Sequence, residues 1–90
     1  MKNKPYTSDT LAVSRRMVSE GPLREERAVL HDLVWRIRHR AGLLRYLDRR
    51  QGEPVAAEVA ALRADAQRRA EALPASEAQL RAHYEREIWK

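Results

Sequence analysis

The stretch PLREERAVLHDLVWRIRHRAGLLRYLDRRQG, residues 22–52, decides the architecture. Between Pro22 and Gly52 the one residue that weakens a helix is Gly42, so the spacing predicts a single helix over 22–51. At 1.5 Å per residue that helix is roughly 45 Å long. Pro suits the first helical turn and Gly suits the position just past a helix end, which fits Pro22 and Gly52. On a helical wheel Leu23, Leu30, Leu33, Val34, Ile37, Ala41 and Leu44 gather on one side, and Val29, Leu43 and Leu47 widen it. The apolar arc covers close to half the circumference. One neighbouring helix needs a stripe of roughly 100°, so this helix calls for more than one partner.

Working outward, Gly52-Glu53 reads as a two-residue turn, with Pro54 restarting a helix over 54–73. Its seam is Val55, Val59, Leu62, Ala66 and Leu73, and its many alanines favour helix intrinsically. A turn this short makes the two helices antiparallel, so residues whose numbers sum to about 105 should face each other. That register sets Leu47 opposite Val59, and Arg40 opposite Asp65. Pro74 ends the second helix, and Ser76 with Gln79 three residues on has the pattern of a capping box opening a helix over 76–89. Leu80, Tyr84 and Ile88 recur there at helical spacing, ending in Trp89, and are expected to dock on the other helices. The other reading of this stripe is an amphipathic tail that fills a groove on another protein. Arg81 is placed to pair with Glu77 and Glu85 at i, i+4 spacing. Upstream, residues 1–8 read as a polar tail. Thr7, Ser8 and Asp9 offer caps for a short helix over 9–20, which Gly21-Pro22 ends. The expected fold class is therefore all-α: one domain over 9–90, a long antiparallel helical hairpin with short N- and C-terminal helices. The wide apolar arc favours packing as a homodimeric helical bundle.

Composition excludes several kinds of function. The chain has 90 residues and no Cys, so it has no disulfide framework, thiolate nucleophile or cysteine zinc site. The three glycines stand alone at Gly21, Gly42 and Gly52, so no phosphate-cradling loop exists. Ser8, Ser14, Ser19 and Ser76 have no His beside them to activate a hydroxyl. His31 and His39 are eight residues apart and His83 is isolated, so no metal site is expected. Apolar runs reach four residues, against the roughly 20 that a membrane span needs. No leader pattern follows Met1, and a cytoplasmic protein is the expectation. The expectation is thus no catalytic residues, no cofactor, no membrane and no small-molecule substrate.

One enzyme family offers a comparison. Leu23-Arg24 and the arginine-rich amphipathic helix behind it are similar to the opening of the all-helical chorismate mutases, over that helix alone. The family's pattern implies a catalytic lysine downstream, whereas no Lys stands between positions 5 and 89 here. The activity is not carried over.

The charge is more informative. The net charge is +5, and residues 1–52 hold 12 basic and 6 acidic side chains, against 6 and 7 in residues 53–90. Lys occurs only at positions 2, 4 and 90. A GC-rich genome alone would favour Arg, but its planar fork also suits interfaces and phosphates. On the long helix, opposite the apolar arc, His31, Trp35, Arg38, His39, Gly42, Arg45, Tyr46 and Arg49 form one stripe. Aromatics and arginines are the side chains that most often dominate binding interfaces, and a glycine between them allows close approach. The stripe Trp35, Arg38, His39, Gly42, Arg45, Tyr46 and Arg49 is therefore the expected partner-binding face. The competing reading has a terminal helix fold back over Trp35 and Tyr46 to make a second internal core. The function expected is a small protein-binding regulator or inhibitor directed at an acidic patch of a partner protein, of a kind that mobile elements often encode. The alternative is a helical nucleic-acid-binding regulator, since the segment from Trp35 to Arg50 has six Arg and one Asp.

Overall fold

The computed structural model describes residues 23–90. The expected tail over 1–8, the helix over 9–20 and the Gly21-Pro22 break lie outside the described residues. Helix makes up 90% of what is described, with no strand among those residues, and three helices pack against one another. They are α1, Arg24–Leu43; α2, Arg49–Glu71; and α3, Ala78–Trp89. Short 3-10 turns at Leu44–Tyr46 and Ala75–Glu77 lead into the second and third.

Local chemistry explains how α1 starts. Glu25 and Glu26 sit in its first turn and Arg40 in its last, each complementing the helix dipole. Leu23 precedes it in the left-handed region at φ 60° and ψ 37°, a conformation that costs a non-glycine residue about 1–2 kcal/mol. Two contacts hold it there: its side chain packs against the core, and its carbonyl accepts the Arg27 N–H at 2.9 Å.

The turn between the first two helices is not at Gly52-Glu53. Helix α1 ends at Leu43, Leu47 is extended, and α2 begins at Arg49, so Gly52 and Pro54 lie inside α2. Asp48 is the cause. Its carboxylate accepts the Gln51 N–H at 2.8 Å, its carbonyl accepts the Gly52 N–H at 2.7 Å, and its own backbone is extended. An N-cap of this kind requires non-helical backbone, which interrupts a continuous helix. Pro54 has no N–H to give the Arg50 carbonyl and costs α2 one hydrogen bond. The register moves with the turn: Arg40 Nε meets Glu58 at 3.1 Å, not Asp65, which is paired with Arg68 and Arg69. Ser76 is not a cap either. It lies in the 3-10 turn, α3 starts two residues later, and the Glu77 N–H is met by the Pro74 carbonyl at 2.8 Å.

The core is drawn from all three helices. Leu30, Leu33, Val34 and Ile37 of α1 are buried with Val59, Ala66 and Ala70 of α2, Leu73 beyond it, and Tyr84 and Ile88 of α3. Leu23, Ala41, Val55, Leu62 and Leu80 pack around them. Both other helices contact α1, so the broad apolar arc serves two neighbours within one chain. Polar ties surround the docked α3. The Tyr84 hydroxyl donates to the Arg27 carbonyl at 3.2 Å, and Gln67 Nε2 donates to Glu85 at 2.8 Å. Arg81 pairs with Glu85 at 3.2 Å.

Two substitutions test this turn by chemical denaturation. An added Cβ at Gly52 would lie 3.8 Å from Leu44 Cδ2 and 3.9 Å from Leu47 Cβ, which is ordinary contact. Gly52→Ala should therefore stabilise the chain by about 0.5–1 kcal/mol, whereas a left-handed turn glycine would make it destabilising. Asp48→Ala should cost about 1 kcal/mol through loss of the cap.

Candidate protein-binding surface

The expected face resolves into three neighbouring parts. The first is an aromatic shelf. Trp35 and His39 lie one turn apart on α1, and their rings stack with centroids 5.3 Å apart and planes 8° from parallel. Trp35 is 55% exposed, so no described helix covers it. The shelf edges a shallow depression of about 260 Å³ lined also by Arg36, Arg40 and Glu58. Its cations are already matched, Arg36 by Asp32 at 3.4 Å and Arg40 by Glu58 at 3.1 Å.

The second part is a basic cleft on the other flank of α1. Arg38, Gly42 and Arg45 meet Arg63 of α2 and Glu87 and Lys90 at the end of α3 around an open cleft of about 230 Å³ beside Ile37 and Ala41. Four cationic side chains surround one carboxylate. Glu87 is shared between Arg38 and Lys90, the latter at 3.5 Å. Arg63 donates from Nε to the Ile88 carbonyl at 3.1 Å, and its guanidinium lies 5.7 Å from the centre of the Trp89 ring. No acidic partner is found for Arg45 among the described residues. A Cβ on Gly42 would meet nothing within 4 Å, so the cleft floor there is open. The positive field reaches His83, whose pKa is lowered by partial burial first and then by Arg86, Arg38 and Lys90.

The third part is the turn itself. Tyr46 is 78% exposed, flanked by exposed Arg45 and by Arg49 and Arg50 in the first turn of α2. Arg49 reaches Glu53 at 3.4 Å, while the nearby Asp48 is engaged as the cap. The structure therefore brings Trp35 to His39, and Arg38 to Gly42 and Arg45. It sets Tyr46 apart on the 3-10 turn after α1, and Arg49 in the first turn of α2. Arg63, Glu87 and Lys90 complete the cleft from other helices, and no spacing along α1 could have pointed to them. Trp89 is also exposed, with its indole N–H held by Gln67 Oε1 at 2.9 Å.

Among the described residues no three His, Cys, Asp or Glu side chains are placed to hold a metal ion, and no helix is long and apolar enough to cross a membrane. What the face presents is exposed aromatic area beside cations, the chemistry that suits apolar and anionic groups.

The lowered pKa of His83 gives a pH dependence with a definite sign. Protonation is disfavoured in the folded chain relative to the ordinary imidazole value of 6.5, so the unfolded chain takes up the proton first and stability falls as pH drops through that value. His83→Gln should flatten this part of the melting temperature–pH profile, and an unchanged profile would contradict the assignment. Compared with models of known families, with characterised proteins and with solved structures, the chain matches none of them.

Proposed function

We propose that this chain is a non-enzymatic protein-binding regulator or inhibitor that occupies an acidic surface of a partner protein. The observation that carries the reading is the exposure of Trp35 and Tyr46, at 55% and 78%, on a chain whose core is filled from other positions. Exposed aromatics beside arginines supply area and orientation at low entropic cost, and Arg45 and Arg50, which have no acidic partner among the described residues, add attraction for negative charge. The charge arrangement favours a protein over a nucleic acid. A phosphate backbone needs a continuous run of uncompensated cations, whereas Asp32, Glu58 and Glu53 interrupt this face by pairing with Arg36, Arg40 and Arg49.

In this reading α1 and α2 form an antiparallel helical hairpin that presents the face, and one copy is sufficient. A homodimeric bundle would pair copies through Val29 and the half-buried Leu43, Leu44 and Leu47, and equilibrium sedimentation distinguishes the two.

Selection from a random peptide display library tests the function. Enriched peptides should carry acidic residues around an apolar or aromatic one. Replacing Trp35 and Tyr46 together by Ala should abolish their binding while the helical circular dichroism stays unchanged. Tight binding of random duplex DNA that weakens steeply between about 50 and 200 mM salt, with no peptide enriched, would replace this reading by nucleic-acid binding.

A further inference from the structure

The geometry points to the cleft between α1 and α3 as a site for a phosphoryl monoester carried on a side chain of the partner protein. The inference rests on the protein-binding reading and names the group that the cleft takes. Arg38, Arg45, Arg63 and Lys90 face a single carboxylate, Glu87. That carboxylate is already bound to Arg38 and Lys90, Arg63 commits one N–H to the Ile88 carbonyl, and Arg45 has no acidic partner among the described residues. A second carboxylate would still leave positive charge uncompensated. A phosphoryl monoester carries about −1.5 to −2 at neutral pH and offers three acceptor oxygens, a closer match in charge and in number of donors.

Space and field agree with the charge count. Gly42 leaves the floor open, with nothing within 4 Å of where a Cβ would stand, in a cleft of about 230 Å³. Beside the cleft, protonation of His83 is depressed by its partial burial first, and then by Arg86, Arg38 and Lys90. The group is assigned to a protein side chain because the same helix carries the exposed Trp35–His39 shelf, where residues flanking a phosphorylated one can rest.

The test is isothermal calorimetry at fixed ionic strength with a synthetic peptide holding one phosphoserine between leucines, its serine counterpart, and inorganic phosphate. The phosphoserine peptide should bind at least about tenfold more tightly than the serine peptide, the scale of one charge-assisted hydrogen-bond set. Arg45→Gln should remove most of that preference. Gly42→Leu should abolish it by filling the floor, while melting at or above the wild-type temperature because a helical glycine is replaced. Equal affinity for the two peptides, or a preference that survives both substitutions, would overturn the site. If both peptides bind equally and only Trp35→Ala weakens them, the cleft fails while the protein-binding reading stands. Inorganic phosphate binding as tightly as the phosphoserine peptide would overturn the assignment to a protein-borne group.

Discussion

Asp48 accepts the Gln51 N–H on its carboxylate and the Gly52 N–H on its carbonyl, and much of the molecule follows from where that cap falls. It stops α1 before Gly52, starts α2 ahead of Pro54, and thereby sets which residues of the two helices meet. With the break at Leu47-Asp48, Arg40 finds Glu58. The same break turns Arg45 and Tyr46 out of a regular helix onto an exposed corner, beside Arg49 and Arg50. A cap is worth about 1 kcal/mol, small beside the burial of the core, yet it marks where the chain breaks between α1 and α2.

The burial is what makes the arrangement hold. Leu30, Ile37 and Ile88 are fully enclosed, and Ala66 and Ala70 have no exposed surface. Both other helices pack on α1, so the core of the described residues is filled without Trp35 or Tyr46. Trp35 and Tyr46 are left at the surface, where each exposes apolar area that could be buried against something else.

Periodicity along the chain was a sound guide wherever a single helix face decided the outcome. The buried set of α1, the seam of Val59, Ala66 and Leu73, and the docking of Leu80, Tyr84 and Ile88 were all legible as helical spacing. The turn was not, because Gly52 and Pro54 are conspicuous breakers while Asp48-Arg49-Arg50-Gln51 is a quieter capping pattern that proved stronger. Position opposite the arc left Trp35 and Tyr46 either exposed or covered by a terminal helix, and only the packing shows that none of the described helices covers them. The cleft was not legible either, since Arg63, Glu87 and Lys90 come to Arg38 and Arg45 through the packing of three helices, which spacing along one of them does not encode.

The stacked Trp35 and the clamped Trp89 have one more consequence. They are the chain's two tryptophans, one set against an imidazole on the shelf and the other under a guanidinium beside the cleft. Each indole therefore sits in a different electrostatic environment, and the two carry separate intrinsic optical signals. Ultraviolet emission, separated by removing either indole in turn, reads the two halves of the surface without any added label.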